Sequence, residues 1–146
     1  MSEIYQVCYV SSATARHPEI FDDLRNIISE ARHFNYQHQI TGALCYANYY
    51  FFQCLEGAAS DIEQVTALIK KDPRHFNLRF SKQICIEQRS FNDWSMKFVG
   101  RQSQVQQVLN ALGYADFSQL QFESKELNQI LDNSIAAQSE ELVETH

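Results

Sequence analysis

No stretch of the 146-residue sequence is apolar over membrane-spanning length, and only four glycines and two prolines interrupt it. The glycines form no G-x-G-x-x-G turn and no phosphate loop, and there is no H-E-x-x-H. The nucleotide folds and zinc hydrolases built on those motifs are therefore excluded. Ser11 and Ser12 lack the setting of a nucleophile elbow. Basic residues are in the minority, 12 against 18 acidic, for a net charge of −6, which argues against a nucleic-acid groove or an anionic membrane surface. Cys8, Cys45, Cys54 and Cys85 have no C-x-x-C spacing and no paired ligands nearby, so no metal site is expected. They read as four reduced thiols of a cytoplasmic protein. The opening MSEIYQVCYV lacks the basic region and cleavage pattern of a secretory signal.

What is present is a clear alternation of elements. Ile4–Val10 reads as a strand, with Tyr5, Val7 and Tyr9 on one face and Gln6, Cys8 and Val10 on the other. Pro18 suits a first helical residue, and Ile20, Leu24, Ile27, Ile28, Ala31 and Phe34 form an apolar stripe ending near Asn35. Ile40–Gly57 then reads as a hairpin with a loose turn at Asn48, its second arm apolar on both faces and so central in a sheet. Ser60 and Glu63 have capping-box spacing before a second helix, which Asp72-Pro73 stops. Leu78 to Glu87 suggests one long fourth strand, and the alternation of Trp94, Met96 and Phe98 a short fifth. The order is a ferredoxin-like split, β-α-β-β-α-β, of α+β class with a fifth strand added. Beyond Gly100 come two short helical elements, Val105–Leu112 closed by Gly113 and a second suggested by Phe117, Leu120, Leu127, Ile130 and Leu131, then a polar tail from Ala136. They are too small to bury themselves, so they are expected on the open sheet face or on another subunit. This divides the chain into a domain of residues 1–100 and a helical cap of 101–146.

Gln53 is the conspicuous side chain. Strand parity places it with Phe51 and Leu55, an amide in an apolar row, where an unpartnered polar group costs about 1–3 kcal/mol. Either nearby backbone satisfies it or a ligand does. Tyr9 could bring a hydroxyl to it from a neighbouring strand, and Asn35 closes the first helix just before the hairpin. Glu56-Gly57 reads as shaping the turn after the strand. The five histidines read as solvated or capping residues, and Arg16 occupies the first loop, where acylphosphate hydrolases of this topology place an arginine.

Tyr9-Val10-Ser11, Asn35 with Ile40-Thr41-Gly42, Phe52-Gln53-Cys54-Leu55-Glu56-Gly57, Asp72-Pro73-Arg74-His75 and Arg89-Ser90-Phe91-Asn92-Asp93-Trp94-Ser95-Met96 together resemble the BLUF family, blue-light sensors that use flavin adenine dinucleotide. The resemblance implies that Tyr9 gives an electron and a proton to the excited flavin, and that Gln53 links its hydroxyl to the flavin edge. It implies that Asn35 bonds the pyrimidine side, Ile27 and Ile69 sandwich the ring, and Asp72 lies toward the ribityl and phosphate side. Trp94 and Met96 then flank Gln53 on the switch strand, with Met96 a candidate acceptor for its amide. Leu68 and Phe34 stand where the family often has an arginine and a polar residue, which implies looser selection between FAD and FMN. Arg32, His33, Arg74 or His75 are the candidates for compensating charge. The expected output is non-enzymatic, by contact with a downstream signalling protein, with a homo-oligomer possible.

Overall fold

A computed structural model of the chain describes residues 3–16, 19–92, 95–99, 102–115, 117, 120, 126 and 129–136. In order the elements are β1 (Ile4–Ala13), α1 (Glu19–Gln37), β2 (Thr41–Ala47), β3 (Tyr50–Gly57), α2 (Ala59–Lys71), β4 (His75–Phe80), β5 (Ile84–Ile86), β6 (Lys97–Val99) and α3 (Gln102–Ala111), followed by a helical stretch at 129–136. The sheet runs β4-β1-β3-β2-β6, with β5 also pairing β1. β3 lies between β1 and β2, antiparallel to both, which is the ferredoxin-like split of β1-α1-β2 around an inserted strand. β6 adds to β2 in parallel at the edge.

Several boundaries differ from the sequence reading for local reasons. β1 continues to Ala13, with a bulge between Val10 and Ser12 on its β4 side. The expected long fourth strand is two strands. At the break the Ser81 amide donates to the Cys8 carbonyl (2.8 Å) while its hydroxyl accepts from the Cys8 amide (2.9 Å); Asn77, with a left-handed φ of 53°, lies earlier, inside β4 where the register against β1 shifts. The hairpin turn is tight rather than loose, because Asn48 and Tyr49 both adopt positive φ, 52° and 67°, and the flanking residues pair directly. α2 has no side-chain cap. Ala58 already holds the extended N-cap geometry, so Ser60 falls inside the first turn, past the position from which a capping box works. Asp72 ends α2 as read.

Each sheet face carries its own core. α1 and α2 cover the face of Val7, Leu44, Phe51 and Leu55, together with Met96. On the other face Val10, Cys45 and Phe52 pack with Val105, Leu109, Phe117, Leu120, Ile130 and Leu131, so the C-terminal helical pieces cover the chain's own sheet. That face also corrects the thiol reading. The β1–β3 register sets Cys8 opposite Cys54 with both side chains on the cap side, and the two form a disulfide, Cα–Cα 4.1 Å. Cys45 and Cys85 are free. Trp94, Pro18 and the tail from Ala137 onward, all used in the sequence reading, lie outside the described residues. Among the described residues no helix is long and apolar enough to cross a membrane.

Candidate functional site

Between the two helices and the sheet lies a cavity of ≈ 520 Å³. α1 lines it with Ile27, Ala31, Phe34 and Asn35, α2 with Val65, Leu68 and Ile69, and the sheet with Tyr9, Leu44, Phe51 and Gln53. Its size and its ratio of many apolar groups to few polar ones suit a small organic ligand. Ile27 and Ile69 therefore face one space from opposite helices, as the apolar stripes require.

The register of β1 on β3 places Tyr9 directly opposite Gln53, and equal parity puts both on the helix side. The Tyr9 hydroxyl donates to Gln53 Oε1 at 2.5 Å, and Gln53 Nε2 donates to Met96 Sδ at 3.5 Å. All three residues are at least 96% buried, from exposures of 4%, 4% and 2%. Burial pushes the Tyr9 phenol well above the ordinary tyrosine value, with Asp72 adding to the shift and Arg74 opposing it, so the proton stays on oxygen. The amide thus sits between a phenol donor and a soft acceptor, with its oxygen and one of its two N–H groups met.

Asn35, fully buried near the end of α1, donates from Nδ2 to the Ser95 carbonyl at 2.7 Å. A carbonyl can only accept, so that bond fixes the amide's orientation. Asn35 Oδ1 is left buried with no partner among the described residues. One turn earlier, Arg32 donates from Nε to the Met96 carbonyl at 3.1 Å. It lies outside the cavity lining and supplies no charge to the mouth.

At the mouth, Arg74 is committed. Its guanidinium bonds both oxygens of Asp72, at 2.6–3.1 Å, and reaches Glu30 at 2.7 Å. Burial opposes the Asp72 charge, but the hydrogen bonds from Arg74 outweigh it and hold the carboxyl below its usual value. His75 is a capping residue, as read, and more: it bonds a last-turn carbonyl of α2 and also reaches β1. Its Nε2 meets the Ile69 carbonyl and its Nδ1 meets the Ser11 hydroxyl, each at 2.7 Å, which makes Nε2 the protonated nitrogen when the ring is neutral. The bridge ties α2 to β1 behind Ile69. His33 is exposed, Leu68 is exposed at the rim, and Phe34 stacks on His38 at 4.0 Å. Arg16 sits over the Tyr49 ring at 4.7 Å, not in a phosphate cradle.

Ser11 and Glu56 do more than the sequence reading assigned. Glu56, fully buried on the cap face, accepts from Gln6 (3.2 Å), Thr41 (3.1 Å) and the amides of Ser90 (2.6 Å) and Phe91 (2.9 Å). It ties the end of β3 to the segment leading toward Met96. Its even parity with Cys54 and Phe52 was the available signal, since a charge aimed into a core needs several donors.

A family model described as sensors of blue-light using FAD matches residues 4–97. Among solved structures, the photo-activated state of BlsA superposes with a TM-score of 0.79 at 35% identity, covering 88% of this chain and 92% of the other. The dark state of BlrB, a BLUF protein, gives 0.75 at 30% identity, covering 94% and 98%. The blue light- and temperature-regulated antirepressor BluF of Escherichia coli (strain K12) is 33% identical over 43% of this chain, and photoactivated adenylate cyclase subunit beta of Euglena longa is 31% identical over 65%. The chain spans 16% and 11% of the lengths of those two proteins.

Proposed function

The chain belongs to the family of blue-light sensors using FAD, and we propose that the Tyr9–Gln53–Met96 chain is its switch, with a flavin held in the cavity above it. The observation that carries this reading is the in-register pair Tyr9 and Gln53, hydrogen-bonded to each other in the lining of an apolar cavity.

The residues present fit a flavin. The orphaned acceptor Asn35 Oδ1 requires an N–H, which the pyrimidine part of the ring offers. Ile27 and Ile69, which line the cavity from opposite helices, would cover its two sides and exclude water, and the second N–H of Gln53 would meet its edge. When bound, the flavin supplies the absorption of blue light and a strongly oxidising excited state. Tyr9, protonated and buried, would give up an electron to the excited ring and its hydroxyl proton by way of Gln53 Oε1, and would take both back as the pair relaxes, so that no net oxidation remains. The oxygen and nitrogen ends of the Gln53 amide then exchange roles, altering the bonds made to the ring edge without a net movement of charge. Met96 Sδ registers that exchange, because it can accept from an N–H but cannot donate.

Asp72, Arg74 and His75 shape the entrance rather than offer an unpaired charge, so the ring should contribute more to binding than the phosphates. FAD is the assigned cofactor, and FMN would be accepted. On this reading residues 1–100 are the photosensor and 101–146 its cap, a division supported by the packing of Val105, Leu109, Ile130 and Leu131 on the sheet, and a change at Met96 would reach the surface through β6 and those helical pieces as a protein–protein signal. The test is the absorption of the purified, FAD-reconstituted protein under blue light. A reversible red shift of the flavin bands is expected. A flavin-loaded protein whose spectrum does not move in light sinks the reading.

A further inference from the structure

Met96 and Ser95 lie just before β6, whose pairing with β2 begins at Lys97 opposite Ala43. Backbone carbonyls in such a place need donors from elsewhere. Both come from α1, Asn35 Nδ2 to Ser95 and Arg32 Nε to Met96. We propose that Arg32 is a positioning residue of the photoswitch: by gripping the Met96 carbonyl it holds the thioether against the Gln53 amide and sets how long the lit arrangement survives.

The proposal rests on the photoreceptor reading and adds a residue to it. A methionine side chain has three rotatable bonds and a weakly accepting sulfur, so its own contacts cannot fix where the sulfur sits. The backbone has to do so. β6 has three residues, pairs among the described residues with β2 alone, and does so in parallel, the weaker of the two ladder types. Two α1 side chains make up the difference. Asn35 serves two purposes, since its oxygen faces the cavity; Arg32 serves one, since it stands outside the lining. Arg32 can therefore be changed without altering the wall that holds the flavin. Its donor is charge-assisted, and a fixed sulfur raises the barrier for the amide to trade partners in either direction.

Arg32→Ala, Arg32→Lys and Arg32→Gln are compared with the unaltered chain in two measurements. The first is the rate of dark recovery after blue light in FAD-reconstituted protein. The second is hydrogen exchange at the Lys97–Val99 amides in cofactor-free protein. Loss of the grip in Arg32→Ala should speed recovery about fivefold, the factor equivalent to about 1 kcal/mol, and speed exchange at Lys97–Val99 without flavin. Arg32→Lys, which keeps a charged donor on a long chain, should recover within about twofold of the unaltered protein. Faster exchange with unchanged recovery overturns the proposal and leaves a structural clasp, and so does no change in either. If Arg32→Ala does not fold, Arg32→Gln decides: recovery equal to the unaltered protein overturns the proposal, and recovery faster than in Arg32→Lys supports it. If the unaltered protein shows no light-driven shift, the photoreceptor reading fails and takes this proposal with it, an outcome distinct from the others because it appears before any substitution.

Discussion

At the scale of single residues, Gln53 carries the most chemistry. Its amide is held at one end by a phenol and at the other by a sulfur, both at least 96% buried. Within a low-dielectric pocket a misplaced donor or acceptor is costly, so reversing the amide is a discrete event rather than a gradual drift. Gln53→Leu keeps similar volume and strand preference, so flavin uptake should persist with a melting temperature within a few degrees. The reversible red shift should vanish, because no amide remains to exchange roles. A Gln53→Leu protein with the full light-minus-dark spectrum would refute the assignment. The candidates Tyr9, Gln53 and Asn35 were legible from parity and helix ends. Arg32 was legible only as a candidate charge, because nothing local says that its Nε reaches a carbonyl 64 residues away. Cys8 and Cys54 were misread as thiols, since their pairing depends on strand register and not on spacing.

At the scale of elements, the hairpin holds the site in place, and Gly42 shows how closely. A Cβ built there would lie 2.2 Å from the Cys54 carbonyl oxygen, and backbone cannot swing aside as a side chain can. Gly42 pairs with Leu55 one step past Cys54, next to the Gln53 position. Gly42→Ala should therefore push β2 and β3 apart, costing about 1–3 kcal/mol or more as an overpacked site does. Thermal melting checks the loss, and the hydrogen exchange of Leu44–Tyr46 should rise with it. An unchanged melting temperature would mean the strands do not approach as closely as described. The β-α-β-β-α order was readable because stripes of period 3.6 and period 2 are long there. The broken fourth strand was not, since the Ser81–Cys8 bonds at the break depend on β1 alongside. The capping box failed similarly: Ser60 and Glu63 have the right spacing, but Ala58 is already the N-cap, so the helix starts before Ser60 can cap it.

At the scale of the whole molecule, two cores back on to one sheet, and its central strand serves both. Along β3 the cavity face carries Phe51, Gln53 and Leu55, while Phe52, Cys54 and Glu56 face the cap, so Gln53 and the disulfide are sequence neighbours on opposite sides. Both sulfurs lie in a cluster sealed by Val105, Leu109, Phe117 and Ile130. Thiol–disulfide exchange needs a thiolate to reach a sulfur, so a reductant meets this bridge only when the cap opens. Leu109 is fully buried in that seal, and Leu→Ala at such a site costs about 2–5 kcal/mol. Where that cost falls on cap docking rather than on global folding, it raises the open population directly. Leu109→Ala should therefore speed reduction by dithiothreitol at least about tenfold, the equivalent of about 1.4 kcal/mol, at temperatures where the sheet remains folded. Alkylation of the newly freed thiols, counted by mass against time, measures it. Equal rates in the two proteins would mean that the cap does not guard the bridge. It would also remove the physical basis for sending a change at β3 outward through those helices.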